Sequence, residues 1–255
     1  VQHSVLASRR APVDRTDTKV GPLRHEVSVP MKTIRVVVAP NETGIEADLT
    51  FRARTAACEE PPMDQHRDGR LIMRTSRFPQ FGTWERHITT SGERTTLRAG
   101  EVMGVRDRSW GVRPIGAHID AGPPPGLPEV YWIWSPVHFD DCCVHFGAFE
   151  DRHGDCWYTN AAIVPAHPTA SDFPLLEEPG IQRMPRVTNR IEWVKGTRRA
   201  SRVELGLVSP RGETRTIELE PMLPFQMQGI GYGHPEFGHG MWKGEEAVLA
   251  QRWNV

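Results

Sequence analysis

The sequence predicts an all-β protein of antiparallel strands, a barrel or a sandwich, on three observations. Segments of alternating apolar and polar residues recur along most of the chain. Gly 23 and Pro 22 supply 45 of its 255 residues, above the usual share of about 12%, and they punctuate the chain in the manner of strands and turns. No window of twelve or more residues carries a helical stripe.

Val1–Gly21 is polar, Arg-rich and aperiodic and reads as a tail or linker, so residues 1–22 are set apart from the folded chain. From Leu23 the period becomes two. Ile34, Val36 and Val38 alternate with their neighbours up to the turn at Pro40–Gly44. In the next strand Ile45, Ala47, Leu49, Phe51 and Ala53 face one way and Glu46, Asp48, Thr50, Arg52 and Arg54 the other, so the two runs form a hairpin with one wet face. A charged, Pro-rich loop (Glu59–Gly69) precedes strand-like residues from Leu71 to Thr90, a turn at Ser91-Gly92-Glu93 and a strand from Arg94 to Val105. Gly116–Pro128 must be a long loop, since Gly122–Gly126 holds only Gly and Pro. Val130–Phe139 and Cys142–Phe149 are apolar and aromatic, and the turn at Asp151–Gly154 returns the chain through Cys156–Val164. After a loop at Pro165–Gly180, Val187–Val194 pairs with Arg202–Val208, which turns at Ser209–Gly212 into Thr214–Met222. Glu245–Arg252 reads equally as a short helix or a last strand.

A chain of this length can bury a proper core as one large or two small domains. Its 31 basic and 32 acidic residues leave a formal charge of −1, which argues against nucleic acid or an anionic membrane as partner. Of the basic residues 27 are Arg. No apolar run has the length of a membrane span or of a signal-peptide core, so the expected location is the cytoplasm. Cys58, Cys142, Cys143 and Cys156 are too sparse for a disulfide framework and read as reduced thiols.

Common catalytic signatures are missing, and no cofactor is expected. Gly229–His234 begins like a dinucleotide fingerprint, but His234 takes the third glycine's place and no helix pattern follows. There is no phosphate loop, zinc-protease pair or nucleophile elbow. His, Asp and Cys residues crowd between His138 and Cys156, and on a strand Asp141, Cys143 and His145 would share a face. None has zinc-ligand spacing, so a hairpin with buried thiols and surface histidines is preferred and no metal is assigned.

The richest chemistry lies in Gly104–Pro114. On an extended backbone Val105, Asp107, Ser109 and Gly111 point one way and Arg106, Arg108 and Trp110 the other. An inward Asp107 has a pKa raised by desolvation or lowered by an Arg partner, and the two outcomes mean different functions. The plainer alternative is a structural Arg–Asp pair. Aromatic residues from Trp110 to Tyr158, among them Trp132 and Trp134, suit the walls of a ligand cavity or an ordinary core. His234 and His239 frame a Gly-rich turn containing Tyr232, where they are either cavity-mouth groups or surface histidines.

Val105-Arg106-Asp107-Arg108-Ser109-Trp110-Gly111 resembles the Asp-His-x-Trp-Gly motif of the carotenoid 1,2-hydratase and AttH-like family. Arg77–Gly82, Tyr131–Trp134 and Gly231–Gly240 resemble its bacterial members as well. Over residues 23–255 the resemblance implies two lipocalin-like β-barrels in tandem, one over 23–104 and a second over 105–255. Few residues precede the motif, so the first barrel is expected to be incomplete and its unpaired edge to favour self-association into a homo-oligomer. The resemblance also implies that Asp107 protonates an alkene. Val105 stands where the family has Tyr, which sets this chain apart from the carotenoid hydratases.

These readings converge on binding of an apolar small molecule, a terpenoid, steroid or lipid. One version adds cofactor-independent hydratase, isomerase or cyclase chemistry, with Asp107 and His239 as acid and base. Arg106, Ser109, Trp110, Arg113, Trp132, Trp134, Tyr232 and His234 would then be ligand contacts. The other version is a carrier or chaperone without catalysis. A desolvated Asp107 facing a cavity favours the enzyme, and a salt-bridged one favours the carrier.

Overall fold

The structure, a computed structural model, describes residues 2–67, 69–113, 131–168, 178–197, 199–225, 234–238 and 240–253. Among these lie β1 (Gln2–Ser8), β2 (Leu23–Val29), β3 (Thr33–Val38), β4 (Ile45–Ala53), β5 (Met63–Arg67), β6 (Arg70–Thr90) and β7 (Glu93–Val112). They are followed by β8 (Tyr131–His138), β9 (Cys142–Glu150), β10 (Cys156–Pro165), β11 (Gln182–Arg183), β12 (Arg186–Trp193), β13 (Ala200–Val208), β14 (Thr214–Leu219) and β15 (Ala247–Trp253). The described elements are all strands and every pairing between them is antiparallel. The expected loop at Gly116–Pro128 lies outside the described residues.

Four sheets result: β2-β3-β4-β6-β5 with β7 on β6, β11-β10-β9-β8, β12-β13-β14, and β1-β15. Among the described residues the outer strands of the three larger sheets are not paired with each other. β7 runs unbroken through Val105, where two units were expected to meet.

The long hairpin β6–β7 organises the first sheet. Ser91 and Gly92, with φ of 52° and 84°, form its two-residue turn, and Thr90 pairs with Glu93. One edge of β6 carries β7, while its other edge carries β4 along Gly82–Thr90 and β5 along Arg70–Thr75. Between β4 and β5 the chain stays on that edge. The amides of Arg54, Cys58 and Glu60 donate to the carbonyls of Phe81, Pro79 and Arg77 at 2.8, 3.1 and 2.8 Å.

Within the β8–β11 sheet most of β9 and the second half of β10 are buried on both faces, which is why they read as apolar runs rather than alternations. Val144, Phe146, Ala148, Ala161 and Ile163 pack against Leu205 and Leu207 of β13. Cys143, Ala162 and Val164 point the other way and pack against Phe81 of β6 and Cys58. Three sheets are thus stacked, with the first and second in contact across the face that carries Phe81, Arg77 and Asp107.

The tail expected at residues 1–22 is corrected. Gln2–Ser8 is a strand whose partner, residues 247–253, stands at the other end of the sequence, and no local pattern could reveal that pairing. The same pairing makes Ala247–Trp253 the last strand rather than a helix.

Close approach makes one glycine pair necessary. Gly82 and Gly104 face each other across β6 and β7. A Cβ at Gly104 would fall inside the Trp84 indole, which itself packs on Phe51 with ring centroids 5.2 Å apart. Gly104→Val is therefore expected to cost about 1–3 kcal/mol. Gly147→Ala, whose Cβ would meet its nearest neighbour at an ordinary 3.5 Å, is expected to cost much less. Urea unfolding of the two variants beside the parent checks the contrast.

Candidate functional site

The face shared by the first two sheets holds a cluster of charges. Glu60, placed by its backbone bond to Arg77 beside the β6 edge, points between the sheets with 2% of its side chain exposed. Arg77 donates from Nη2 to Glu60 Oε2 at 3.2 Å, and its Nε lies 3.1 Å from Oε1. The Nε2 of His145, on β9 and 1% exposed, lies 3.1 Å from the same Oε1. The Tyr158 hydroxyl of β10 sits 3.2 Å from Glu60 Oε2 and 2.9 Å from the Pro61 carbonyl, with one proton to give to either.

Asp107 faces the same guanidinium from β7, but at 4.0 Å. One arginine thus lies between two carboxylates at unequal distances, and their acidities separate. Burial pushes Glu60 up, but His145 and Arg77 outweigh it and hold the carboxyl below its ordinary range. For Asp107 burial prevails: Arg77 lowers it too little, the nearby Glu60 charge adds to the upward push, and the carboxyl stands above its ordinary value. Burial and Glu60 likewise push the Tyr158 phenol upward.

Asp107 lines a cavity of about 340 Å³, a size suited to a small ligand. Arg77, Ser109 and Arg113 line it too. Its wall is aromatic and soft: Trp132 stacks on Phe149 at 5.5 Å and 19°, Trp157 leans on Phe149 at 5.1 Å, and Met63 and Met73 complete the apolar side. Trp132 and Trp157 are 51% and 39% exposed, so the rings form a mouth as well as a wall. Larger clefts lie elsewhere, of about 560 Å³ beside β1 and about 920 Å³ around Arg54. The smaller cavity is singled out by its chemistry, a partly buried carboxyl, 38% exposed, beside aromatic rings.

Of the residues the sequence suggested, Asp107, Ser109, Arg113 and Trp132 meet in this cavity. Trp134 lies behind it, 6.2 Å from the His145 ring, with its Nε1 buried and without a hydrogen-bond partner. Arg106 and Trp110 do not join them, because alternation along β7 turns both to the opposite face. His234 is a structural residue: 3% exposed, its Nδ1 accepts from the amides of Glu236 and Phe237, and its Nε2 lies 2.8 Å from Gln251 Oε1 of β15. Tyr232 and His239 lie outside the described residues.

Glu60, Arg77, His145 and Tyr158 went unassigned. Glu60 sits in a charged loop and offered no signal, and Arg77 stood out only as the first residue of the Arg77–Gly82 stretch, without a role of its own. His145 did offer one, as the single histidine of the apolar run Cys142–Phe149. Cys143 lies 3.6 Å from His138 Nδ1, but burial pushes the thiol up to about 12, and burial and Arg54 lower His138, so the pair is not an activated nucleophile. Among the described residues no three His, Cys, Asp or Glu side chains are grouped to hold a metal.

The model of a family of unknown function, DUF8625, matches residues 1–255. The chain belongs to DUF8625. No curated protein and no solved structure matches it. What this DUF8625 chain does must therefore be argued from the cavity. Among its described residues no helix is long and apolar enough to cross a membrane.

Because the folded pKa of Glu60 is depressed, its contribution to stability is complete above its ordinary value of 4.5 and is lost as pH falls through the lower folded value. Glu60→Gln leaves Arg77 and His145 without their buried partner. It is expected to cost about 3–5 kcal/mol at neutral pH and to flatten the fall in stability on the acid side. Denaturant unfolding at a series of pH values from neutral downward measures both effects.

Proposed function

We propose that this DUF8625 chain is a cofactor-independent acid–base enzyme of the hydratase or isomerase kind, acting on an apolar small molecule held in the 340 Å³ cavity. The observation that carries the reading is the place of Asp107 on the wall of a cavity that Trp132, Phe149 and Trp157 also line, where burial raises its pKa. The resemblance of the Asp107 segment to the carotenoid hydratase motif adds support.

The chemistry follows from the two carboxylates. Glu60 takes the charge of Arg77, so Asp107 keeps its proton to higher pH and can give it to one carbon of a carbon–carbon double bond. The cation formed on the other carbon lies among indole and phenyl faces, whose negative quadrupoles stabilise it. Water then adds to that carbon and returns a proton to the Asp107 carboxylate, so the net change is addition of H2O. Loss of a neighbouring proton to the same carboxylate instead gives an isomer. Ser109 and Arg113 are placed to orient a polar end of the substrate. A carrier would use the same walls but would have no use for the proton.

Asp107→Asn tests the reading. A raised folded pKa makes Asp107 cost stability as pH rises through the interval above 3.8, so a neutral Asn is expected to keep or raise the melting temperature at pH 7. Affinity for an uncharged fluorescent probe, N-phenyl-1-naphthylamine, should stay within a few-fold. Deuterium incorporation into alkenes such as limonene or farnesol in D2O should fall by about 10²- to 10⁴-fold. A lower melting temperature with lost probe binding would assign Asp107 to a structural pair, and no exchange in the parent across a terpenoid panel would favour the carrier.

A further inference from the structure

The opposite face of β7 carries a second arrangement that the cavity does not use. Register sets Arg106 beside Gln80, Arg108 beside Phe78 and Trp110 beside Ser76. The Arg106 guanidinium lies 5.3 Å over the Phe78 ring, which meets Trp110 edge-on at 6.1 Å. The turn between β2 and β3 folds onto this face. Its Met31 carbonyl accepts from Gln80 Nε2 at 2.7 Å, Gln80 Oε1 lies 3.3 Å from Arg106 Nη1, and the Met31 sulfur is 3.9 Å from the same nitrogen.

Charge on this face is unbalanced. Among the described residues neither Arg106 nor Arg108 has a carboxylate within ion-pair distance. Arg106 is half-buried, so its charge is partly desolvated, and among the described residues it contacts an amide oxygen, a sulfur and a ring. Burial and Arg108 lower its pKa, and His25 of β2 is lowered by burial and by both guanidiniums. Partly buried cations without a counter-ion cost stability unless an anion completes them. Beside them the same face leaves Trp110 46% exposed.

We infer that this face binds a carboxylate attached to an apolar body, with Arg106 and Arg108 holding the carboxylate and Phe78 and Trp110 lying along the chain. Guanidinium matches carboxylate geometry with paired hydrogen bonds, and the bound anion supplies the charge that the described residues do not. This site is separate from the Asp107 cavity, since the β-sheet itself divides them.

Isothermal titration with decanoate and with 1-decanol tests the inference. The parent is expected to bind decanoate about tenfold or more tightly than the alcohol, and Arg106→Gln or Arg108→Gln to abolish that preference. Asp107→Asn, across the sheet, should leave it intact. Equal affinity for acid and alcohol, no binding of decanoate, or a preference that survives both arginine variants would overturn the site. So would loss of the preference in Asp107→Asn, which would place the acid in the cavity. Arg108 is exposed and without a salt bridge among the described residues, so its variant gives a readable result even if Arg106→Gln fails to fold.

Discussion

Arg77 is the charge on which the interior between the first two sheets depends. It stands on β6 between Glu60 and Asp107, near one carboxylate and 4.0 Å from the other. At a site of low effective dielectric such a difference in distance matters more than in water. The nearer carboxylate becomes a settled anion, also served by Tyr158 and His145. The farther one is left short of positive charge and keeps its proton to higher pH than an ordinary aspartate.

The backbone makes this arrangement rigid. Glu60 is placed by a run of amides paired to the β6 edge, Arg77 and Asp107 belong to the long β6–β7 hairpin, and His145 and Tyr158 come from adjacent strands of the second sheet. Five residues from four parts of the chain meet because two sheets pack face to face. That packing also excludes water from the side where Phe81, Cys58 and Cys143 close the interface. Toward Trp132 and Trp157 the same interface opens, and a ligand can enter there.

The fold was legible where strands pair with their neighbours in sequence. Alternation in Ile45–Ala53 and the turn at Ser91-Gly92 led directly to β4 and to the β6–β7 hairpin, and the alternation of Asp107 and Ser109 against Arg106 and Trp110 holds in three dimensions. Long-range pairing was not legible: β1 reads as a tail until β15 is set beside it. The site was half legible for the same reason. Asp107, Ser109, Arg113 and Trp132 lie in patterned segments, whereas Glu60 owes its importance to residues far along the chain and is one more acid in a charged loop. His234 shows the converse, since a histidine in a Gly-rich turn looks functional until both its nitrogens are found engaged in holding that turn.

β7 carries two different sets of charged groups because a strand presents opposite faces. One face offers an acid without enough cation, the other offers cations without an acid. The central claim, that unequal sharing of Arg77 keeps Asp107 protonated to higher pH, is open to a direct measurement. Carbon-13 NMR titration of the Asp107 carboxyl in the parent and in Glu60→Gln should give a parent value above the ordinary 3.8, and a lower one once Arg77 is released to Asp107. A parent value at or below 3.8 would contradict the account, as would a value that does not fall when Glu60 loses its charge.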